Sequence, residues 1–270
     1  MMTVEQGDPR GIYAEVMAVP YEGAASPFAE DGVLGFEFAR VWTRPGLGRR
    51  ERRLVTLTCV GAGDTVGPID AHVYAALKSG DLTLAELQEF VLHFAVYCGW
   101  PKASLLDQTV SVQNARISGE RGDAPSPPAP LEPWNAGEDS EQRLARGEAC
   151  FREINFVPAP PRTSPYTLAG ILNFVFGEVW QRPGLSERDR RCITVAAVGV
   201  DDTIIPIRSH VYSALKSGQL SRTEMEELVL HFAVYAGWSK AAFLDEVVHE
   251  SWARVQDEGG PVTPADNDRT

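Results

Sequence analysis

Apolar positions along this chain recur at helical spacing. Between Arg49 and Gly61 they fall at Leu54, Val55, Leu57 and Val60, behind a Pro45-Gly46 turn, and predict a helix. A second helix is predicted from Ile69 to Ser79, closed by Gly80, where a left-handed cap suits glycine. Thr83-x-x-Glu86 then opens a third, running to Tyr97 and stopping near Gly99. The hydroxyl accepts from an orphan backbone N–H while the Glu reaches back. A fourth is predicted over Ala103–Ala115. Alternating β-branched runs bounded by hairpin turns are scarce, so the fold is expected to be all-α.

The same pattern occurs twice. Residues 36–107 align with 174–245 at a constant offset of 138 without a gap, and about 42 of the 72 pairs are identical. Ser186 is the matching N-cap, Ser221-x-x-Glu224 the matching capping box, and Ala241–Ala253 the matching last helix. The expected fold is a tandem duplicated helical bundle with five or six helices per copy, the copies meeting as an intrachain pseudo-dimer. The domain reading is 1–117 for copy one, 118–141 for a linker, 142–256 for copy two and 257–270 for a disordered tail. The linker contains Ala124-Pro125-Ser126-Pro127-Pro128-Ala129-Pro130, which cannot bury much apolar surface.

Charge narrows the partners. The 270 residues hold 25 Lys and Arg against 37 Asp and Glu, a net charge of −12. That balance speaks against nucleic acid and anionic membrane, which both want a cationic footprint. No apolar run approaches a membrane span. The first residues lack a basic stretch followed by an apolar one, so a cytoplasmic protein is expected. Cys59, Cys98, Cys150 and Cys192 are scattered, without a redox pair or metal-type spacing, and read as buried apolar residues.

Four of the five histidines occupy matching places, His72 with His210 and His93 with His231, whereas no cysteine is paired in this way. A chemistry kept in both copies therefore uses imidazole. His72 lies four residues after Pro68, near a helix start, where the dipole favours a neutral ring able to relay one proton. His93 shares a helix face with Glu86, Glu89 and Tyr97, and reads either as a pocket edge or as a hydrogen-bonding core residue. Among Arg49, Arg50, Arg52, Arg53, Arg188, Arg190 and Arg191, most read as solvated charges or ion pairs with Glu51 and Asp189. Arg53 and Arg191 stand nearest the apolar stripe and suit a bidentate grip on a substrate carboxylate. Trp42 and Trp180 read as packing residues or ligand contacts. Phosphate loops, His-Glu-x-x-His and Gly-x-Ser-x-Gly are absent.

The string Trp180-x-Arg-Pro-Gly-Leu, Arg190-Arg191-Cys192-Ile193-Thr194, His210-Val211-Tyr212 and Leu230-His231-Phe232-Ala233-Val234-Tyr235-Ala236-Gly237-Trp238 resembles the carboxymuconolactone decarboxylase family, in both copies. The resemblance implies an all-α fold, no metal or organic cofactor, and a homo-oligomer built as a trimer of pseudo-dimers. A sister branch of alkylhydroperoxidase-like proteins carries Cys-x-x-Cys-x-x-x-His, but those cysteine positions hold Thr65 and Pro68, and Thr203 and Pro206. Without a thiolate the peroxidase chemistry fails. The decarboxylase branch's Arg is retained at Arg53 and Arg191. Its acidic residue four before the His is replaced by Pro68 and Pro206. Arg208 and Glu178 match its basic and acidic positions, while Asp70 and Arg40 depart from them in copy one.

The functional expectation is a cofactor-independent lyase acting on a small carboxylated lactone or related organic acid, as in aromatic compound catabolism. His72 or His210 would move the proton and His93 or His231 would orient substrate. Arg53, Arg191, Glu178, Trp42, Trp180 and Arg208 would bind it, with no metal involved. Two other readings stay open: an isomerase, dehydratase or cyclase on the same fold, and a non-catalytic binding or assembly protein.

Overall fold

A computed structural model describes residues 7–63, 65–124 and 137–262, and among them the chain is helical with no strand. In copy one the helices are α1 (Pro9–Met17), α2 (Phe28–Trp42, a π-helix), α3 (Arg49–Ala62), α4 (Val66–Ser79), α5 (Leu84–Cys98) and α6 (Trp100–Arg121). In copy two they are α7 (Ser140–Asn155), α8 (Tyr166–Val175, also π), α9 (Glu187–Asp201), α10 (Ile204–Lys216), α11 (Arg222–Ala236) and α12 (Trp238–Asp257). A 3₁₀ turn at Val179–Gln181 lies between α8 and α9. None of these helices is long and apolar enough to cross a membrane.

The capping boxes form as their residues dictate. Thr83 and Glu86 satisfy each other's backbone at the start of α5, and Ser221 with Glu224 and Ser186 with Asp189 do so at α11 and α9. α6 and α12 start three residues earlier than the apolar pattern indicates, at Trp100 and Trp238. Gly99 and Gly237 turn the chain there with φ of 90° and 99°, and Pro101 occupies the first turn of α6. α6 also runs past the expected domain end at 117, to a left-handed cap at Gly122. Asp139 caps α7, drawing Ser140 and Glu141 out of the expected linker and into the helix, while 125–136 lie outside the described residues. The beginning of the expected tail is bound: Tyr212 donates to Glu258 at 2.5 Å and Val262 N to the Lys216 carbonyl at 2.8 Å. Residues 263–270 lie outside the described part.

The copies interlock. α3 is buried on every side from Arg52 to Ala62, and α9 from Asp189 to Gly199, because these two helices pack together at the centre. Leu47, Val55 and Cys59 of copy one belong to the core of copy two, and Leu185 and Ile193 of copy two to the core of copy one. Ion pairs repeat across this interface in matching positions. Arg44 grips Glu227 and Arg182 grips Glu89, each through Nε and Nη2 at 2.6–3.1 Å. Arg50 pairs with Asp189, and Arg188 with Glu51. The Pro-Gly turn fits here because Gly184, at φ 98°, leaves no room for a Cβ, which would stand 2.9 Å from Glu89 Cγ.

The arginine clusters divide. Arg50 and Arg188 form the ion pairs with Asp189 and Glu51 that the sequence offered, and Arg53 and Arg191 are buried, in keeping with their place by the apolar stripe. Arg52 and Arg190 are at most 1% exposed rather than solvated, because α3 and α9 lie inside the pseudo-dimer instead of on its surface.

Candidate active site

Two composite centres form at the interface, each drawing on both copies. In the first, His72 on α4 meets Tyr235 on α11 edge-on, ring centroids 5.5 Å apart. The Tyr235 hydroxyl accepts from Trp42 Nε1 at 2.8 Å and donates to Glu37 at 2.6 Å. Arg53 lies over the Trp42 ring at 4.9 Å and donates from Nη1 to His72 Nδ1 at 3.4 Å. In the second, His210 on α10 meets Tyr97 on α5 at the same 5.5 Å, Trp180 Nε1 donates to the Tyr97 hydroxyl at 2.9 Å, and Arg191 lies over the Trp180 ring at 5.4 Å.

The second pair of histidines holds these parts in place. His93 and His231 are fully buried, and their Nε2 atoms share 2.8 Å hydrogen bonds with Thr194 and Thr56 of the opposite copy. Each packs against the tryptophan of a centre, His93 on Trp180 at 5.0 Å and His231 on Trp42 at 4.9 Å. Arg190 Nη1 also donates to His93 Nδ1 at 3.3 Å.

Burial sets the charge states. It lowers His72 and His210 to about 3, helped by Arg53 and Arg191, so both rings are neutral; the helix start invoked from sequence is not the main cause. His93 and His231 are held well below the usual imidazole range, again by burial first. Tyr97 is pushed up to about 12 by burial, and burial raises Tyr235 well above the usual phenol range. Burial lifts Glu37 to about 7, against the lowering effect of the Tyr235 hydrogen bond. All four thiols are pushed up by burial and stay protonated at neutral pH.

The centres differ at two acids. Val175 stands where Glu37 stands, and Gln219 where Asp81 stands. Asp81 accepts from Arg53 Nε at 3.0 Å and Nη2 at 2.9 Å. On Arg191, Nε and Nη1 are buried without a hydrogen-bond partner, as is Nδ1 of His210.

Of the residues singled out from sequence, His72, His210, His93, His231, Arg53, Arg191, Trp42 and Trp180 come together in these centres. Glu178 and Arg208 make their contacts elsewhere: Glu178 is 3.5 Å from Arg182 in the interface ion pairs, and Arg208 pairs with Glu250 on the surface, half exposed. Glu37, Asp81, Thr56 and Thr194 were not singled out. Tyr97 and Tyr235 were visible on the His93 and His231 helix faces, but their roles needed the opposite copy. Among the described residues no group of three His, Cys, Asp or Glu is placed to hold a metal ion.

Over residues 27–107 and 165–250, more than half its length, the chain matches the carboxymuconolactone decarboxylase family, and it belongs to that family. An 80-residue stretch is 38% identical to the nitrosuccinic acid decarboxylase of Metarhizium robertsii, covering 28% of this chain and 55% of that protein. A 70-residue stretch is 39% identical to the 4-carboxymuconolactone decarboxylase of Acinetobacter baylyi, covering 25% of this chain and 49% of that one. The chain spans about half the length of the curated relatives it matches.

Proposed function

We propose that this protein is a cofactor-independent carboxy-lyase acting on a small organic acid with an electron-accepting carbonyl or nitro group conjugated with, or attached to, the carbon that loses carbon dioxide. The observation that carries the reading is a neutral, buried imidazole facing a tyrosine hydroxyl beside a buried guanidinium, in a site assembled from both copies. The relatives are named as decarboxylases of nitrosuccinic acid and of 4-carboxymuconolactone, a nitro acid and a carboxylated lactone.

In this reading Arg191 holds a carboxylate that stays on the substrate. The C–C bond to the departing carboxylate breaks, and its electron pair moves into the adjacent acceptor. In a dry site the Tyr97 hydroxyl and the imidazole N–H stabilise the charge that develops on the acceptor oxygen. The arriving anion raises the His210 pKa, so the ring takes up a proton from bulk solvent as the substrate binds, gives that proton to the carbon once carbon dioxide has left, and ends neutral, as it began. His93 and His231 orient Trp180 and Trp42 rather than touch substrate. A second reading, proton transfer without loss of carbon dioxide, is favoured at the first centre, where Glu37 adds a carboxyl that titrates near neutral pH.

The test is purified protein with 4-carboxymuconolactone and with nitrosuccinate. Carbon dioxide release that is lost in His210→Gln supports the reading. No release from either acid at high enzyme concentration rejects both substrates, and solvent deuterium uptake without release moves the assignment to the isomerase reading. The protein is further proposed to work in the cytoplasm, in the breakdown of ring compounds, as a trimer of the 29.5 kDa chain. The exposed apolar pairs Phe28 with Tyr166 and Trp100 with Trp238, each repeated across the copies, support that assembly.

A further inference from the structure

The two centres have diverged in a way that decides where an anion can sit. In the first, the guanidinium of Arg53 is satisfied from within the chain. Nε and Nη2 reach Asp81, Nη2 also reaches the Val16 carbonyl at 2.5 Å, and Nη1 reaches His72. Glu37 adds a second carboxyl on the Tyr235 hydroxyl. In the second centre the equivalent carbonyl contact is kept, Arg191 Nη2 to Ile154 at 2.7 Å, but both acids are gone. One carboxylate still touches Arg191: Glu187, from the preceding turn of α9, accepts from the same Nη2 at 3.2 Å. Nε and Nη1 stay unpaired on a side chain 1% exposed, with His210 Nδ1 also unpaired. Unpaired donors on a buried charge are costly, and a bound carboxylate, which accepts from both and also meets the charge, removes that cost.

We propose that the chain carries one anion-binding centre rather than two: the Arg191, His210 and Tyr97 centre takes a small carboxylate, and the Arg53, His72 and Tyr235 centre fills the same positions with its own Asp81 and Glu37. This rests on the assignment of Arg191 as carboxylate holder, and its test reads binding rather than turnover.

The probe is succinate, titrated into the intact chain by calorimetry and by tryptophan fluorescence. One succinate binds per chain. The fluorescence response disappears in Trp180→Phe and persists in Trp42→Phe. Arg191→Lys, which keeps the charge but loses the planar fork, weakens binding by about tenfold or more. Exchanging the two acids for their counterparts, Glu37→Val with Asp81→Gln, raises the count to two and keeps the test open if an arginine variant fails to fold. Two succinates on the unaltered chain overturn the proposal. So do a response that depends on Trp42, a count still at one after the exchange, or no binding up to tens of millimolar. Single-site binding at Arg191 without carbon dioxide release from any acid keeps this inference and removes the lyase reading. Carbon dioxide release lost in Arg53→Lys but not in Arg191→Lys does the reverse.

Discussion

His72, His93, His210 and His231 are buried in the folded protein and held neutral by that burial. Their folded pKa values lie below the unfolded value of about 6.5, so the unfolded chain binds more protons at mildly acidic pH. The stability these rings permit is complete above pH 6.5 and is lost as pH falls from there toward 3. Each ring contributes a slope of about 1.4 kcal/mol per pH unit. Urea midpoints measured at pH 7, 6 and 5 are expected to fall steeply, and His210→Gln to make the fall shallower. Tyr97 is the other residue whose removal is informative. Tyr97→Phe deletes the hydroxyl that Trp180 Nε1 donates to; kcat/KM is expected to drop about a hundredfold, and the melting temperature to fall by a few degrees because the buried indole N–H loses its acceptor. The imidazoles were legible in the sequence because they recur at the 138-residue offset. Asp81 and Glu37 were not, because their importance is a difference between copies, and a repeat draws attention to what is shared.

At the scale of the element, two kinds of helix bring the centres together. α3 and α9 are ordinary α-helices whose burial on all sides follows from their place at the interface; Arg50, Arg52, Arg188 and Arg190 reach partners on the opposite copy, while Arg53 and Arg191 are held within their own. α2 is π-helical, with hydrogen bonds that close five residues apart. Glu37 and Trp42 are five apart, and both reach the Tyr235 hydroxyl. On a 3.6-residue period those two positions point in different directions, which is why helical periodicity could not pair them. In copy two the π-helix ends at Val175 and Trp180 sits in a 3₁₀ turn, yet its bond to Tyr97 matches that of Trp42 to within 0.1 Å. The interface ion pairs predict a contrast. Glu89→Gln leaves Arg182 and Arg190 buried without their carboxylate, and unfolding free energy is expected to fall by about 3 kcal/mol. Glu226→Gln, on the exposed i,i+4 pair with Arg222, is expected to change it by less than about 0.5 kcal/mol. Denaturant titration of both variants checks this.

For the whole molecule, each core contains residues of the other copy, so neither copy has a complete interior alone. The chain is expected to unfold in a single calorimetric transition, with van't Hoff and calorimetric enthalpies that agree. Two separated transitions would contradict the shared cores. The duplication, the all-α class and the pseudo-two-fold were legible from the repeat alone. The depth of Arg52 and Arg190 was not, because those positions of the Arg-rich helix starts read as surface until the second copy is laid against them.

The covalent joining of the copies has one more effect. In a homodimer encoded by one short gene, any substitution appears in both active centres at once, so an acid that quiets one would quiet the other. A chain that spells the unit twice escapes that rule. Position 37 can become Glu while 175 remains Val, and a catalyst can retire one of its two workplaces, or give it a new task, without closing the other.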